Sequence, residues 1–188
     1  MIRSLYTAAT GMAAQQLDQD VVANNLANIN TYGFKKSRAN FQDLMYQVFT
    51  KAGSTSATGI QLPAGIEVGM GVKPISTQKM FSQGDFVQTG NSLDWAIEGD
   101  GFFQIDSGTG RTYYTRAGNF KLSKEGNIVN SEGLLVTPSI TIPNTAVTIT
   151  VDKTGAVSVT DQQGNISQVG QIQLARFVNT AGLTSIGR

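Results

Sequence analysis

Residues 1–34 read MIRSLYTAATGMAAQQLDQDVVANNLANINTYGF, and their spacing decides how the rest of the chain is read. Stepping alternately by four and three from the start passes through Met1, Leu5, Ala8, Met12, Gln15, Gln19, Val22, Leu26 and Ile29. That spacing predicts a long helix with a coiled-coil-like seam, apolar at both ends and polar at its middle. Ala9, Ala13, Leu17, Val21 and Ala23 widen the apolar surface beyond a two-stranded stripe, and only Arg3, Asp18 and Asp20 carry charge. A helix so long and so poorly charged needs partners. No later segment offers a second long apolar helix, so the partners are expected to come from other subunits or from a missing part of the chain. Gly33 is a natural stop, because glycine accepts the left-handed backbone of a helix C-cap. The asparagines before it suit side-chain-to-backbone bonding where a helix ends.

Beyond the helix, Phe41, Leu44, Met45, Val48 and Phe49 fall at helical spacing, which predicts a second, short amphipathic helix over 37–50. Residues 51–65 turn to Gly, Ser, Thr, Ala and Gln with Pro63, the composition of an extended, flexible linker. From Ile66 the period becomes two. Ile66, Val68, Met70 and Val72 alternate with Glu67, Gly69, Gly71 and Lys73, and Leu93, Trp95 and Ile97 alternate with polar or small neighbours. Turn signals recur at 99–101, 107–110, 124–127, 131–133, 143–144, 153–155 and 163–165, separating short apolar runs. The expected fold class is therefore α+β: a coiled-coil-like N-terminal helix over 1–33, a linker over 34–65, and a mainly antiparallel all-β domain over 66–188.

The chain has 188 residues with 14 basic and 13 acidic side chains, a near-neutral balance that gives no footprint for nucleic acid. Lys35, Lys36 and Arg38 read as a solvated junction. Without cysteine there is no disulfide framework or thiolate metal site, and without histidine the commonest metal ligand and general base is missing. No run reaches membrane-spanning length, and the N-terminus does not have the form of a cleavable secretory signal. Asp94, Glu98, Asp100 and Asp106 are close in sequence, yet they fall on a polar strand face and in turns. The expectation is no catalytic, metal or cofactor site, and no small-molecule substrate.

The run Asn24-Asn25-Leu26-Ala27-Asn28-Ile29-Asn30-Thr31-Tyr32-Gly33-Phe34, with the opening Leu5-Tyr6-Thr7-Ala8-Ala9-Thr10-Gly11-Met12, resembles the N-terminal signature of the flagellar rod, hook and hook-associated family. Phe41 to Gln47, Gly69-Met70-Gly71-Val72, Gly99-Asp100-Gly101-Phe102-Phe103 and Tyr114-Thr115-Arg116-Ala117-Gly118-Asn119-Phe120 resemble its distal-rod members. The resemblance implies a subunit of a tubular axial assembly in the basal body, stiff enough to transmit torque, enclosing an export channel and delivered by the flagellar type III apparatus. Terminal helices would line the inside and β domains the outside. The implied partners are further copies of the chain, other rod, hook and ring proteins, and the export apparatus. Family members end in a second amphipathic helix that pairs with the first, and this chain is expected to lack it. The candidate assembly residues are Leu5, Ala8, Met12, Val22, Leu26 and Ile29 on the seam, with Asn25, Asn28, Gly33 and Phe34 from the signature. Residues 46–65 resemble an insertion of distal-rod subunits. The alternatives are a hook or proximal-rod subunit or, in a different class, a secreted β-domain binding module with a membrane-surface helix. The last lacks the Lys and Arg enrichment of interfacial helices.

Overall fold

Segments 37–43 and 72–79, far apart in the chain, form the ladder on which the N-terminal helix rests. The computed structural model describes every residue except Met1, Ser54, Thr58, Gly59, Leu62, Thr109 and Arg188. Helix α1 runs from Ile2 to Ala27. Its alanines, glutamines and unbranched apolar residues are good helix formers. It stops six residues short of Gly33, where the asparagines begin to compete for the backbone: Asn28 Nδ2 donates to the Asn24 carbonyl at 2.9 Å.

The described chain divides into two compact units, residues 1–29 with 36–80, and residues 30–35 with 81–188. In the first, β1 (Ser37–Asp43) pairs antiparallel with β6 (Val72–Lys79) from Ser37↔Lys79 to Asp43↔Val72, and α1 packs on both. Strand β2 (Tyr46–Thr50) pairs with β5 (Ile66–Gly69), and β3 (Thr55–Ala57) pairs with β4 (Ile60–Gln61) between them. The short helix expected over 37–50 is thus two strands. Local periodicity favoured a helix, but the aromatics and valine of this window also suit a strand, and the partners that decide it lie 16 to 42 positions away along the chain. The stretch expected as a linker holds the short β3–β4 hairpin, whose partners are three to six positions apart. Ile66–Gly69 is a strand as its alternation predicts, but it belongs to the first unit, and Ile66 and Val68 are exposed rather than half-buried.

In the second unit, β7 (Phe102–Asp106) is the hub. It pairs with β8 (Thr112–Thr115), β11 (Leu135–Thr137) and β15 (Leu174–Ala175), and the sheet continues through β10 (Ile128–Val129) to β9 (Lys121–Leu122). A second sheet has the order β12 (Ala146–Val151), β13 (Ala156–Asp161), β14 (Ile166–Gln171). Between them Phe103, Phe120, Ile128, Val136, Ile140 and Val157 form one core. Phe103 meets Phe120 edge-on at 5.0 Å, and Trp95 packs tilted against the same ring at 5.3 Å. The strand expected over 93–97 is a turn with a single bridge, Asp94 to Asn119. Asp94 accepts from Thr89 Oγ1 at 2.8 Å and Asn91 Nδ2 at 3.0 Å, which folds the chain back on itself. Leu93 and Ile97 still enter the core.

Candidate assembly surface

Two stripes run along α1, and they differ in what covers them. Thr7, Thr10, Ala14, Leu17, Val21 and Asn25 are covered wholly or in part. The Val72 amide reaches Thr10 Oγ1 at 3.5 Å, and Gly71 passes so close to Thr10 that a Cβ there would collide with it. The predicted seam lies on the other side. Leu5, Met12, Leu26 and Ile29 are 69, 68, 67 and 72% exposed, and Ala8, Gln15, Gln19 and Val22 are exposed with them. Met1, the first seam position, lies outside the described residues. The helix therefore does have support inside its own chain, a β ladder, while its most apolar stripe faces water.

The signature residues are not part of that stripe. Asn25 turns inward and pairs both backbone groups of Ser37: its Nδ2 donates to the carbonyl at 2.8 Å, and the Ser37 amide donates to its Oδ1 at 2.9 Å. It sets where β1 starts. Asn28 closes the last turn of the helix region through Asn24. Gly33 and Phe34 belong to the second unit. Gly33 has φ +69°, and a Cβ on it would lie 2.5 Å from the Ala117 nitrogen. The expected helix stop is thus a close-approach glycine, pressed against the backbone of the Thr115–Phe120 motif. Beside it Lys35 Nζ donates to the Ser82 carbonyl at 2.8 Å. Burial, and secondarily the nearby Arg116 charge, hold the Lys35 ammonium below its ordinary pKa of 10.5.

Sequence reasoning missed a second apolar surface. On the β2–β5 ribbon Tyr46, Val48, Phe49, Ile66 and Val68 are exposed, as is Met45 just before it. Arg3, in the first turn of α1, places its guanidinium 5.3 Å from the centre of the Phe49 ring. The period-two pattern of Ile66 and Val68 was the available signal; it marks a strand but not whether a core covers it. The four carboxylates do not gather into a site. Asp94 organises its turn, Asp106 accepts from the Gly108 amide at 2.9 Å, and Asp100 meets Arg176 at 3.4 Å. Among the described residues no three potential metal ligands cluster, and no helix is long and apolar enough to cross a membrane.

This arrangement can do one thing well, which is to bury α1 and the ribbon against other chains. Comparison with known proteins shows what the chain is similar to. Residues 5–35 match the family described as "Flagella basal body rod protein", and residues 96–159 match the "Flagellar hook protein FlgE/F/G D1 domain". The chain is 50% identical to the flagellar basal-body rod protein FlgG of Caulobacter vibrioides, over 99% of this chain and 72% of that one. It is 45% identical to its counterpart in Buchnera aphidicola, over 100% and 72%. With the flagellar hook protein FlgE of Helicobacter mustelae it shares 44% identity, but over 72% of this chain and 30% of that protein.

Proposed function

The chain belongs to the family of flagellar basal-body rod proteins, and from that premise we propose that it polymerises into the tubular distal rod of the basal body. There it acts as a stiff shaft that carries torque from motor to hook and encloses the export channel. Its partners are copies of itself, the neighbouring rod, hook and ring proteins, and the type III apparatus that delivers it. The rod reading is favoured over the hook reading because similarity to rod proteins runs through the whole chain, whereas similarity to the hook protein covers 72% of it. Its work is mechanical and involves no bond chemistry.

The observation that carries this reading is the exposed seam. Leu5, Met12, Val22 and Leu26 stand largely in water along one line of a helix whose opposite side is already packed, and Ile29 continues that line just past the helix end. Burying each remaining surface against a neighbour is worth about 1–2 kcal/mol, so the stripe supplies on the order of 5–10 kcal/mol before association costs. A contact between the seam and a different surface of the next copy, repeated without a closing rotation, gives a helical polymer rather than a dimer. The test is electron microscopy of the full chain at high concentration. Wild type should form tubes. Leu26→Asp should stay folded and form none, since an unpaired carboxylate would be buried between chains. Gln163→Asp, in an exposed turn, should assemble normally. Tubes from Leu26→Asp would sink the seam as an interface, and no tubes from wild type would sink the polymer reading itself.

A further inference from the structure

The second unit holds an open cavity of about 550 Å3, lined by Phe81, Phe102, Phe177, Arg116, Arg176 and Asp100 among others. Its rings stack edge-on, Phe81 to Phe102 and Phe102 to Phe177 both at 5.8 Å, with Tyr114 to Phe177 at 4.7 Å. The Arg116 guanidinium lies 5.2 Å over the Phe102 ring and donates to Gln83 Oε1 at 3.4 Å. Its Nε–H is buried with no acceptor. Lys35 is close enough for the two cations to repel each other. Among the described residues neither forms an ion pair. The one ion pair there, Arg176 to Asp100, is exposed on both sides and therefore weak. An aromatic cavity whose cations outnumber its carboxylates fits a carboxylate carried by an apolar segment.

One described stretch of the second unit offers that combination. Asp85-Phe86-Val87 lies in a run without regular structure, and Phe86 and Val87 are 56 and 76% exposed, next to the Asp85 carboxylate. Asp43 and Glu67 also sit near exposed apolar side chains, but both are held in paired strands that cannot enter a cavity. We propose that Asp85-Phe86-Val87 of one copy seats in the Phe81–Phe102–Phe177 cavity of the next, with Asp85 against Arg116 and Phe86 against the rings. Knob and cavity are different patches of one unit, so the contact propagates head-to-tail wherever two copies do not seat in each other reciprocally. It rests on the polymer reading above and names a contact within it, independent of the helix seam.

The chain has no cysteine, so introduced thiols report one contact at a time. Val178 lines the cavity and is fully exposed. A full-length Val87→Cys chain mixed with a full-length Val178→Cys chain should give a covalent dimer on mild oxidation, well above either chain alone. The double variant should give a ladder of multimers. A monomeric disulfide in the double variant, or no excess dimer in the mixture, overturns the proposal. In assembly, Asp85→Arg should raise the concentration needed for polymer by about tenfold, and adding Arg116→Glu should restore most of it. Arg116→Glu removes a guanidinium packed on Phe102, so Arg176→Glu with Asp85→Arg is a second rescue, with melting curves reporting the fold. Wild-type assembly of Asp85→Arg, or rescue by neither pair, overturns the contact. Failure of wild type to polymerise while the mixed disulfide still forms would overturn the rod reading and support the contact.

Discussion

Set beside each other, the two units use apolar residues in opposite ways. The second buries Phe120 to 1% and Val157 to 0% exposure and closes a core around them. Among described residues, the first buries only Ala14 and Ala39, while Leu5, Met12, Leu26, Ile29, Tyr46, Phe49 and Ile66 remain exposed. The unit richer in apolar residues is the one left with an unfinished surface, while the other closes a self-sufficient fold. The contrast teaches where stability comes from: the second unit carries its own, and the first would gain much of its stability from whatever covered it.

The sharpest way to break the contrast is to truncate one large apolar side chain in each unit. Phe120→Ala should cost about 3–5 kcal/mol in the free chain, because it leaves a cavity beneath Trp95 and Phe103. Met12→Ala should change it by less than about 0.5 kcal/mol, since Met12 is exposed. Thermal melting of the dilute chain measures both. A comparable loss from Met12→Ala would mean that the seam is already covered within one chain.

An intermediate effect is expected at Gly33. Gly33→Ala should cost about 1–2 kcal/mol through its left-handed backbone, with the collision against Ala117 in addition. Gly11→Ala, in α1 with open space around the new methyl, should be neutral or stabilise the helix by up to about 1 kcal/mol. Denaturant unfolding of the two variants separates these outcomes. If Gly33→Ala proved as mild as Gly11→Ala, the tight packing of the signature on Arg116 and Ala117 would be wrong.

These same residues show how much could be read without coordinates. The seam was legible because a helix presents every third or fourth residue to one side, and nothing distant is needed to see it. The turns were legible because their chemistry is local: the Gly126, Gly133, Gly155 and Gly164 amides each donate back three residues. Residues 37–50 were misread because Phe41, Leu44, Val48 and Phe49 fall at helical spacing although their residue types also suit strands, and pairing with 66–79 decides for strands. Leu93 to Ile97 alternates like a strand, but Asp94 is tied into a turn by Thr89 and Asn91. The division into compact units falls at 80–81 rather than 65–66, since alternation marks β5 and β6 as strands without saying which sheet receives them. Of the candidate site, the apolar line was legible. The inward turn of Asn25 was not, nor was the cavity around Arg116, whose walls come from positions 81, 102, 116 and 177.

The smallest effect expected is at the edge where helix and ribbon meet inside the first unit. The first turn of α1 has no acidic residue and carries Arg3, a cation at the positive end of the helix dipole. That placement disfavours the first turn, and the contact of Arg3 with the Phe49 ring offsets it. An exposed cation–π contact is worth about 0.5–1 kcal/mol. Phe49→Ser should therefore leave the melting of the second unit unchanged and fray only the start of α1. Hydrogen exchange resolves this, because the Tyr6 and Thr7 amides are among the first in the helix with partners one turn back. Their exchange should quicken by about two- to fivefold in Phe49→Ser, while amides of β7 and β13 keep wild-type rates. Unchanged exchange at Tyr6 and Thr7 would show that the β1–β6 ladder alone holds the start of the helix. The exposed ribbon would then be free to serve the contacts between copies.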